Sequence, residues 1–277
     1  MVERVASDGI EPLSIDVAAL LEKLSGACAR EPKPVFAFDG DGTLWSGDVG
    51  EDVFRRATRL GLLREESRAA LLREAQRYAV ETPDPSDANA VALRLFESYL
   101  SGGYPEREAC AMMTWCYAGL ELEEFTPFVR ATFDEVGLRG RLHQELGPVL
   151  ELARSHHAEL LVVSASPQRI VEEAAALWGI PAQSVLASQP AVRDGRIQAQ
   201  LARPVPYAEH KPLTLAERAN LAHLVAAFGD NVFDIELLTA ARVGVAVRPK
   251  AALRTRLREL TGVYVLRAPV ESGSHSY

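Results

Sequence analysis

The sequence predicts an α/β fold, a mostly parallel sheet covered on both faces, with an all-helical segment inserted after the first core strand. Three observations predict it. Short apolar runs at 35–38, 160–163, 224–228 and 243–247 alternate with helical periodicities, as in a parallel sheet built from strand–helix units. Between about residues 48 and 135 the apolar spacing is helical throughout, and almost nothing alternates with period two. A hydrophobic content of 48% over 277 residues supports a core without disulfide or metal staples.

In chain order, residues 1–12 are expected to be loosely ordered. Ile15, Val17, Ala18, Leu20, Leu21 and Leu24 suit an amphipathic helix over 14–29, which Pro32 and Pro34 end. The run 35–38 then reads as a buried strand. Helices follow at 49–61, 64–80, 87–101, 105–119 and 121–135, punctuated by Gly61, Pro83 and Pro85, Gly102-Gly103 and Gly137. This insert reads as a small bundle set over the sheet edge. Beyond it come a helix at 142–156, a strand at 159–163, a helix at 167–178 and a short strand at 184–187. A hairpin at 192–201 turns on Asp194-Gly195. A helix at 212–221, a strand at 223–228, a helix at 232–240, a strand at 243–247 and a helix at 250–259 complete the core. The tail 271–277 is expected to be disordered. The expected division is a catalytic core of 1–46 and 138–277 around a cap of 47–137, with Gly47, Gly50 and Gly137–Gly140 as hinge positions.

The net charge of −8 and scattered basic residues argue against a nucleic-acid partner. Arg55, Arg56, Arg59 and Arg64 read as a solvated helix face. Three cysteines without CxxC spacing suit a reducing compartment better than a disulfide framework. No signal-peptide pattern and no apolar run of membrane-spanning length is present, so a cytoplasmic monomer or homodimer is expected, with no membrane partner.

The chemistry concentrates in Asp39-Gly40-Asp41-Gly42-Thr43-Leu44-Trp45, where two carboxylates alternate with glycines at a strand end. Strand ends of open α/β sheets are where ligands bind, and glycine lets the backbone approach them closely. A calcium loop is excluded, because Thr43, Leu44 and Gly50 occupy positions needing an acid or amide, a glycine and a glutamate. A dinucleotide fingerprint fails at Trp45. Ser164-Ala165-Ser166 follows another apolar run, with Ser166 and Pro167 reading as an N-cap and first-turn pair. Such a helix start offers free N–H groups to an anion. Lys211 stands in a His-Lys-Pro segment, and Gly229-Asp230-Asn231-Val232-Phe233-Asp234 follows the run 224–228.

These four segments, in this order, resemble the haloacid dehalogenase-like superfamily, and the insertion point resembles its phosphoserine phosphatase-like subgroup with a helical cap. The resemblance implies a Mg2+-dependent phosphatase acting on a small phosphorylated metabolite such as a phosphoserine-, phosphocholine- or phosphoethanolamine-like monoester. It implies that Asp39 forms an aspartyl-phosphate while Asp41 protonates the leaving oxygen and later activates water. Ser164, Lys211, Thr43 and Ala165 would bind phosphate. Asp39, Asp41 through its backbone carbonyl, and Asp230 would hold Mg2+, an ion that uses few carboxylates and keeps several waters. Asp234 and Asn231 would support the metal waters or Lys211. In the resembling phosphatases a glutamate nine residues beyond the nucleophile binds the substrate amine; here that position is Asp48, which with Glu51 also fits a capping box. Trp45 either offers a cation–π face or packs. The cap arginine that would hold a serine carboxylate is not identifiable, since Arg94 and Arg107 fit equally. Asn231 directly after Asp230 departs from the subgroup's spacing. A phosphotransferase and a non-catalytic phosphate sensor stand as alternatives, whereas Asp41 disfavours a dehalogenase.

Overall fold

The computed structural model describes residues 12–267, so all but the last residue of the stretch 1–12 expected to be loose, and the tail at 271–277, lie outside the described residues. The chain runs β1 (Ser14–Ile15), α1 (Val17–Cys28) and β2 (Val35–Phe38), then five helices. These are α2 (Val49–Arg59), α3 (Glu65–Arg77), α4 (Ala88–Leu100), α5 (Glu106–Trp115) and α6 (Leu122–Glu135). Next come α7 (Gly147–Ser155), β3 (Glu159–Pro167), α8 (Gln168–Ala175), β4 (Val185–Ser188), β5 (Pro190–Arg193) and β6 (Arg196–Leu201). The chain closes with α9 (His210–Ala216), β7 (Leu224–Gly229), α10 (Ile235–Ala240), β8 (Val243–Val247), α11 (Ala251–Arg256) and β9 (Val263–Leu266).

Seven strands form one sheet in the order β1-β9-β8-β7-β2-β3-β4, every neighbouring pair parallel. Two strands depart from the sequence expectation. Ser14 and Ile15 are not helical, because Asp16 accepts the Ala19 N–H at 2.8 Å and starts α1 at Val17, as N-cap residues do. That frees Ile15 to pair with Leu266. The sequence reading had no strand at Val263–Leu266; β9 is held by ladders on both sides, to β8 and β1, a stabilisation that its short local pattern does not announce. Consequently β2, read as the first strand, is the second in the chain.

Successive residues of β2 feed opposite faces of the sheet. Phe36 and Phe38 stack on Phe228 of β7, with centroids 6.4 and 4.5 Å apart, in the apolar cluster that includes α1, α7 and α8. Val35 and Ala37 pack on the other face with Leu161, Leu215 and Leu237. The first cluster continues without a break into α2–α6, where Phe54 meets Phe96 at 5.0 Å. Arg56 and Arg59 join α2 to Glu135 at the end of α6. Below the helices the two connecting segments pair. The Ser46 N–H donates to Arg141 C=O at 2.9 Å, and the His143 N–H to Leu44 C=O at 3.0 Å. Arg141 also reaches Ser46 C=O at 2.7 Å and Asp52 at 2.6 Å. Gly47 has φ +79°, and a Cβ there would lie 2.2 Å from the Arg141 guanidinium.

Three helix starts also differ from expectation, among them that of α10, which opens at Ile235 after a tight turn at Val232–Asp234 rather than at 232. The segment 142–156 begins as tight turns, so that α7 starts only at Gly147. α9 starts at His210 rather than 212, which puts Lys211 in its first turn. No helix of the described residues is long and apolar enough to cross a membrane.

Phe228→Ala, which empties the centre of the β2–β7 stack, is expected to lower stability by about 3–5 kcal/mol. Urea denaturation checks this; a loss below about 1 kcal/mol would mean that the stack is not the core it is taken for.

Candidate active site

Three adjacent parallel strands end at one place. The order β7-β2-β3 sets Asp39, Ser164 and Asp230 at neighbouring C-terminal strand ends, where the chain order reverses and ligands of open α/β sheets bind. The Asp39 N–H donates to Phe228 C=O at 2.9 Å, continuing the ladder by one residue before the chain turns. Leu44 N–H then returns to Gly40 C=O at 2.8 Å, and Gly42 N–H to Trp45 C=O at 2.8 Å, closing the loop. Gly42 sits at φ +80°, and a Cβ on it would fall 2.2 Å from Asp230 Oδ2. Gly229 is equally constrained, since its Cβ would lie 2.5 Å from Asp234 Cβ.

Asp39 is buried. Its Oδ1 accepts from Lys211 Nζ at 2.6 Å and its Oδ2 from Thr43 Oγ1 at 3.2 Å. The buried Lys211 also donates to Asp234 Oδ1. Asp234 Oδ2 accepts the Asp230 and Asn231 N–H groups at 3.0 and 2.9 Å, in a capping box closed by Asn231. Asp230 Oδ2 lies 3.1 Å from Lys250 Nζ.

The electrostatics follow from this crowding. Burial pushes Asp39 well above the usual carboxylate range; Lys211 opposes the rise, while Asp234 and Asp230 add to it. Burial likewise pushes Asp230 up to about 6 against the pull of Lys250. For Lys211 burial works against the charge, yet Asp234 and Asp39 outweigh it and hold the ammonium above the ordinary lysine range. Carboxylate oxygens of Asp39, Asp230 and Asp234 all lie within 4.8 Å of one another. This all-oxygen, hard donor set suits a divalent cation such as Mg2+.

Asp41 is turned away from that cluster. Its Oδ1 accepts from Trp45 Nε1 and the Val49 N–H, both at 2.8 Å, and its Oδ2 from Ser166 Oγ at 2.6 Å. Its side chain is thus not among the clustered metal-binding groups, which leaves the backbone carbonyl for that role. Ser166 is not a helix cap: β3 runs through Pro167, which itself occupies the N-cap position of α8. Its N–H donates to Ser164 Oγ at 3.1 Å. Trp45 is fully buried with its N–H spent on Asp41, so it presents no free face to a ligand.

The cavity over Asp39 measures about 70 Å³ and is lined by Asp41, Ser164, Ala165, Asn231 and, on the far side, Asp48. Asp48 caps α2 through the Glu51 N–H at 2.8 Å; no reciprocal capping box forms, because the Glu51 carboxylate pairs with Arg55 and stays out of the cavity. Sequence reasoning missed Glu106 and Cys110 of α5, Tyr207, Phe233 and Lys250, all of which line it. Lys250 lies three residues past β8, and the strand-end rule could have found it. Glu106 reads locally as an acid in the first turn of a helix, where acids are common.

The family model described as haloacid dehalogenase-like hydrolase matches residues 36–239. No curated protein matches the sequence. Among solved structures, a Bordetella pertussis protein of unknown function is 21% identical with a TM-score of 0.63, covering 85% of this chain and 99% of its own. An Anaerococcus prevotii protein, also functionally unknown, is 14% identical with a TM-score of 0.63, covering 92% of each chain. A Vibrio cholerae protein described as a probable phosphoserine phosphatase is 13% identical with a TM-score of 0.53, covering 86% of this chain and 62% of its own. At these identities the likeness is one of fold.

Gly42→Ala puts a side chain at positive φ against Asp230 and is expected to cost about 1–3 kcal/mol. Denaturant titration reads it; a change within about 0.5 kcal/mol would show that the loop accommodates a Cβ after all.

Proposed function

This chain belongs to the haloacid dehalogenase-like hydrolase family, and from that premise we propose that it is a phosphatase acting on a small phosphomonoester through a covalent intermediate on Asp39. The observation that carries the proposal is the division of labour within one loop. Asp39 is buried, fixed by Lys211 at 2.6 Å and Thr43 at 3.2 Å, while Asp41, two residues on, faces Ser166 and the start of α2. Carboxylates serve as phosphoryl acceptors in known chemistry, and two acids in different surroundings can take different roles.

In the first step an Asp39 oxygen bonds to phosphorus as the ester oxygen leaves with the bonding electrons and takes a proton from Asp41. In the second, Asp41 accepts a proton from water, whose oxygen attacks phosphorus and displaces the Asp39 carboxylate, releasing inorganic phosphate. Phosphoryl transfer needs positioning and positive charge more than covalent help. Here Lys211 supplies a buried cation, and the Ser164 hydroxyl and the chain at Ala165 would supply donors, whereas Thr43, expected to bind phosphate, has given its N–H to Gly40 and its hydroxyl to Asp39. Asp39 and Asp230 would hold Mg2+ directly, with Asp234 fixed beside them by Lys211 and two backbone N–H groups. When bound, the ion supplies charge neutralisation at the phosphoryl oxygens. The substrate envisaged is a phosphorylated small metabolite, since the cavity of about 70 Å³ is far below the roughly 300 Å³ and more of pockets for larger ligands.

Phosphate release from a panel of phosphomonoesters, with Mg2+ and with chelator, tests the reaction. Chelator-sensitive release is expected, and Asp39→Asn should slow it by about 10³-fold or more while leaving circular dichroism unchanged. Residual activity of the variant near that of wild type would remove the covalent route.

A further inference from the structure

Resting on that phosphatase reading, we propose that the cavity selects a leaving group that is a short cation without a carboxylate, an amino-alcohol phosphate rather than an amino-acid phosphate, and that Glu106 on α5 is the specificity-determining residue. The first ground is charge. Six carboxylates line the cavity against two lysines, and no arginine lines it. Both lysines are committed on the Asp39 side: Lys211 to Asp39 and Asp234, Lys250 to Asp230. At the cap side stand Asp48 and Glu106. Asp48 is partly satisfied by the α2 N-terminus. Among the described residues the Glu106 carboxylate makes no hydrogen bond and no ion pair, although the residue is half-buried in the cavity wall. The Lys250 ammonium attracts it but is bonded to Asp230, and a partly desolvated acid with no bonded partner favours a ligand that brings positive charge.

The second ground is independent of the acids. Tyr207 and Phe233 reach the cavity from two different loops with ring centroids 4.3 Å apart. Aromatic rings beside carboxylates form the setting in which ammonium groups are held by cation–π attraction. The third is what the wall lacks. A substrate carboxylate is best held by an arginine fork, and Arg94 and Arg107, the arginines the sequence left open, pair with Glu97 and Glu108 and do not line the cavity, while Lys250, the lysine there with donors to spare, is already held by Asp230. A carboxylate there would instead face Asp48 and Glu106, and like charges repel.

The test measures kcat/KM for phosphoethanolamine, phosphocholine, phosphoserine and glycerol phosphate with wild type, Glu106→Gln and Tyr207→Leu. In wild type the better cationic ester should exceed phosphoserine and glycerol phosphate by about tenfold or more, and Glu106→Gln should shrink its advantage over glycerol phosphate by about tenfold. Tyr207→Leu should shrink it as well, which gives a second reading if Glu106→Gln does not fold. Preference for phosphoserine or the neutral ester, or a variant that lowers all four substrates in proportion, would overturn the inference. Calorimetric titration with the same esters in the presence of chelator reads the cavity apart from turnover. Selective binding of the cationic esters that Glu106→Gln weakens would sustain the inference even if no ester were hydrolysed, an outcome that would overturn the phosphatase reading alone. Equal binding of all four would overturn the inference whatever the turnover.

Discussion

Much of this molecule depends on one buried ammonium. Lys211 Nζ lies between Asp39, at the end of β2, and Asp234, in the tight turn after the neighbouring β7, and all three are nearly inaccessible. Burying like charges this close is costly, and removing the central cation would leave two uncompensated carboxylates, typically a loss of about 3–5 kcal/mol. The ammonium therefore fixes more than a contact. It requires α9 to begin at His210, so that its first turn reaches the ends of β2 and β7. Even so, Lys211 and the more exposed Lys250 do not together neutralise Asp39, Asp230 and Asp234, and that residual charge is the physical reason for a divalent cation in the proposed mechanism.

Backbone geometry sets the remaining tolerances. Gly42 and Gly229 leave no room for a side chain because Asp230 and Asp234 occupy the space a Cβ would take. The first contact joins the loop after β2 to the loop after β7, and the second closes the turn after β7 onto the end of its own strand. The proposed nucleophile loop is closed from behind too, since His143 Nδ1 lies 2.8 Å from Thr43 C=O. A site whose parts come from three strand ends and one helix is held within tenths of an ångström by such close approaches.

Asp41 connects the loop to the helical segment. One of its oxygens accepts the Val49 N–H at the start of α2, the other the Ser166 hydroxyl of β3. The proposed acid/base therefore touches both the sheet and the helices that cover it, and any shift of α2 would be felt at its carboxylate. The continuous apolar cluster from sheet to α2–α6 and the paired segments at Ser46 and Arg141 keep the helices in place over the site.

The alternation of strands with helices, the five inserted helices and the four chemical segments were legible in the chain because each is written locally, as a period, a breaker or a strand end. Lys211, which stands at no strand end, stands out only through the order of the four segments, whereas Asp39, Ser164 and Asp230 could be picked out on those terms. β1 and β9 could not, since strands of two and four residues owe their existence to neighbours distant in sequence. Ser166 was misread for the same reason, since its hydroxyl serves Asp41 125 residues away, while Trp45, left between a cation–π face and packing, packs and gives its N–H to Asp41 four residues before it. The sequence by itself determined which residue types stand at the strand ends, because hydrophobic period and turn chemistry are short-range. Only the tertiary structure decided which of them meet. It put Lys211 on Asp39 across 172 residues and brought Glu106, Tyr207 and Phe233 to one cavity, because convergence comes from the parallel sheet and its packing, which no local pattern encodes.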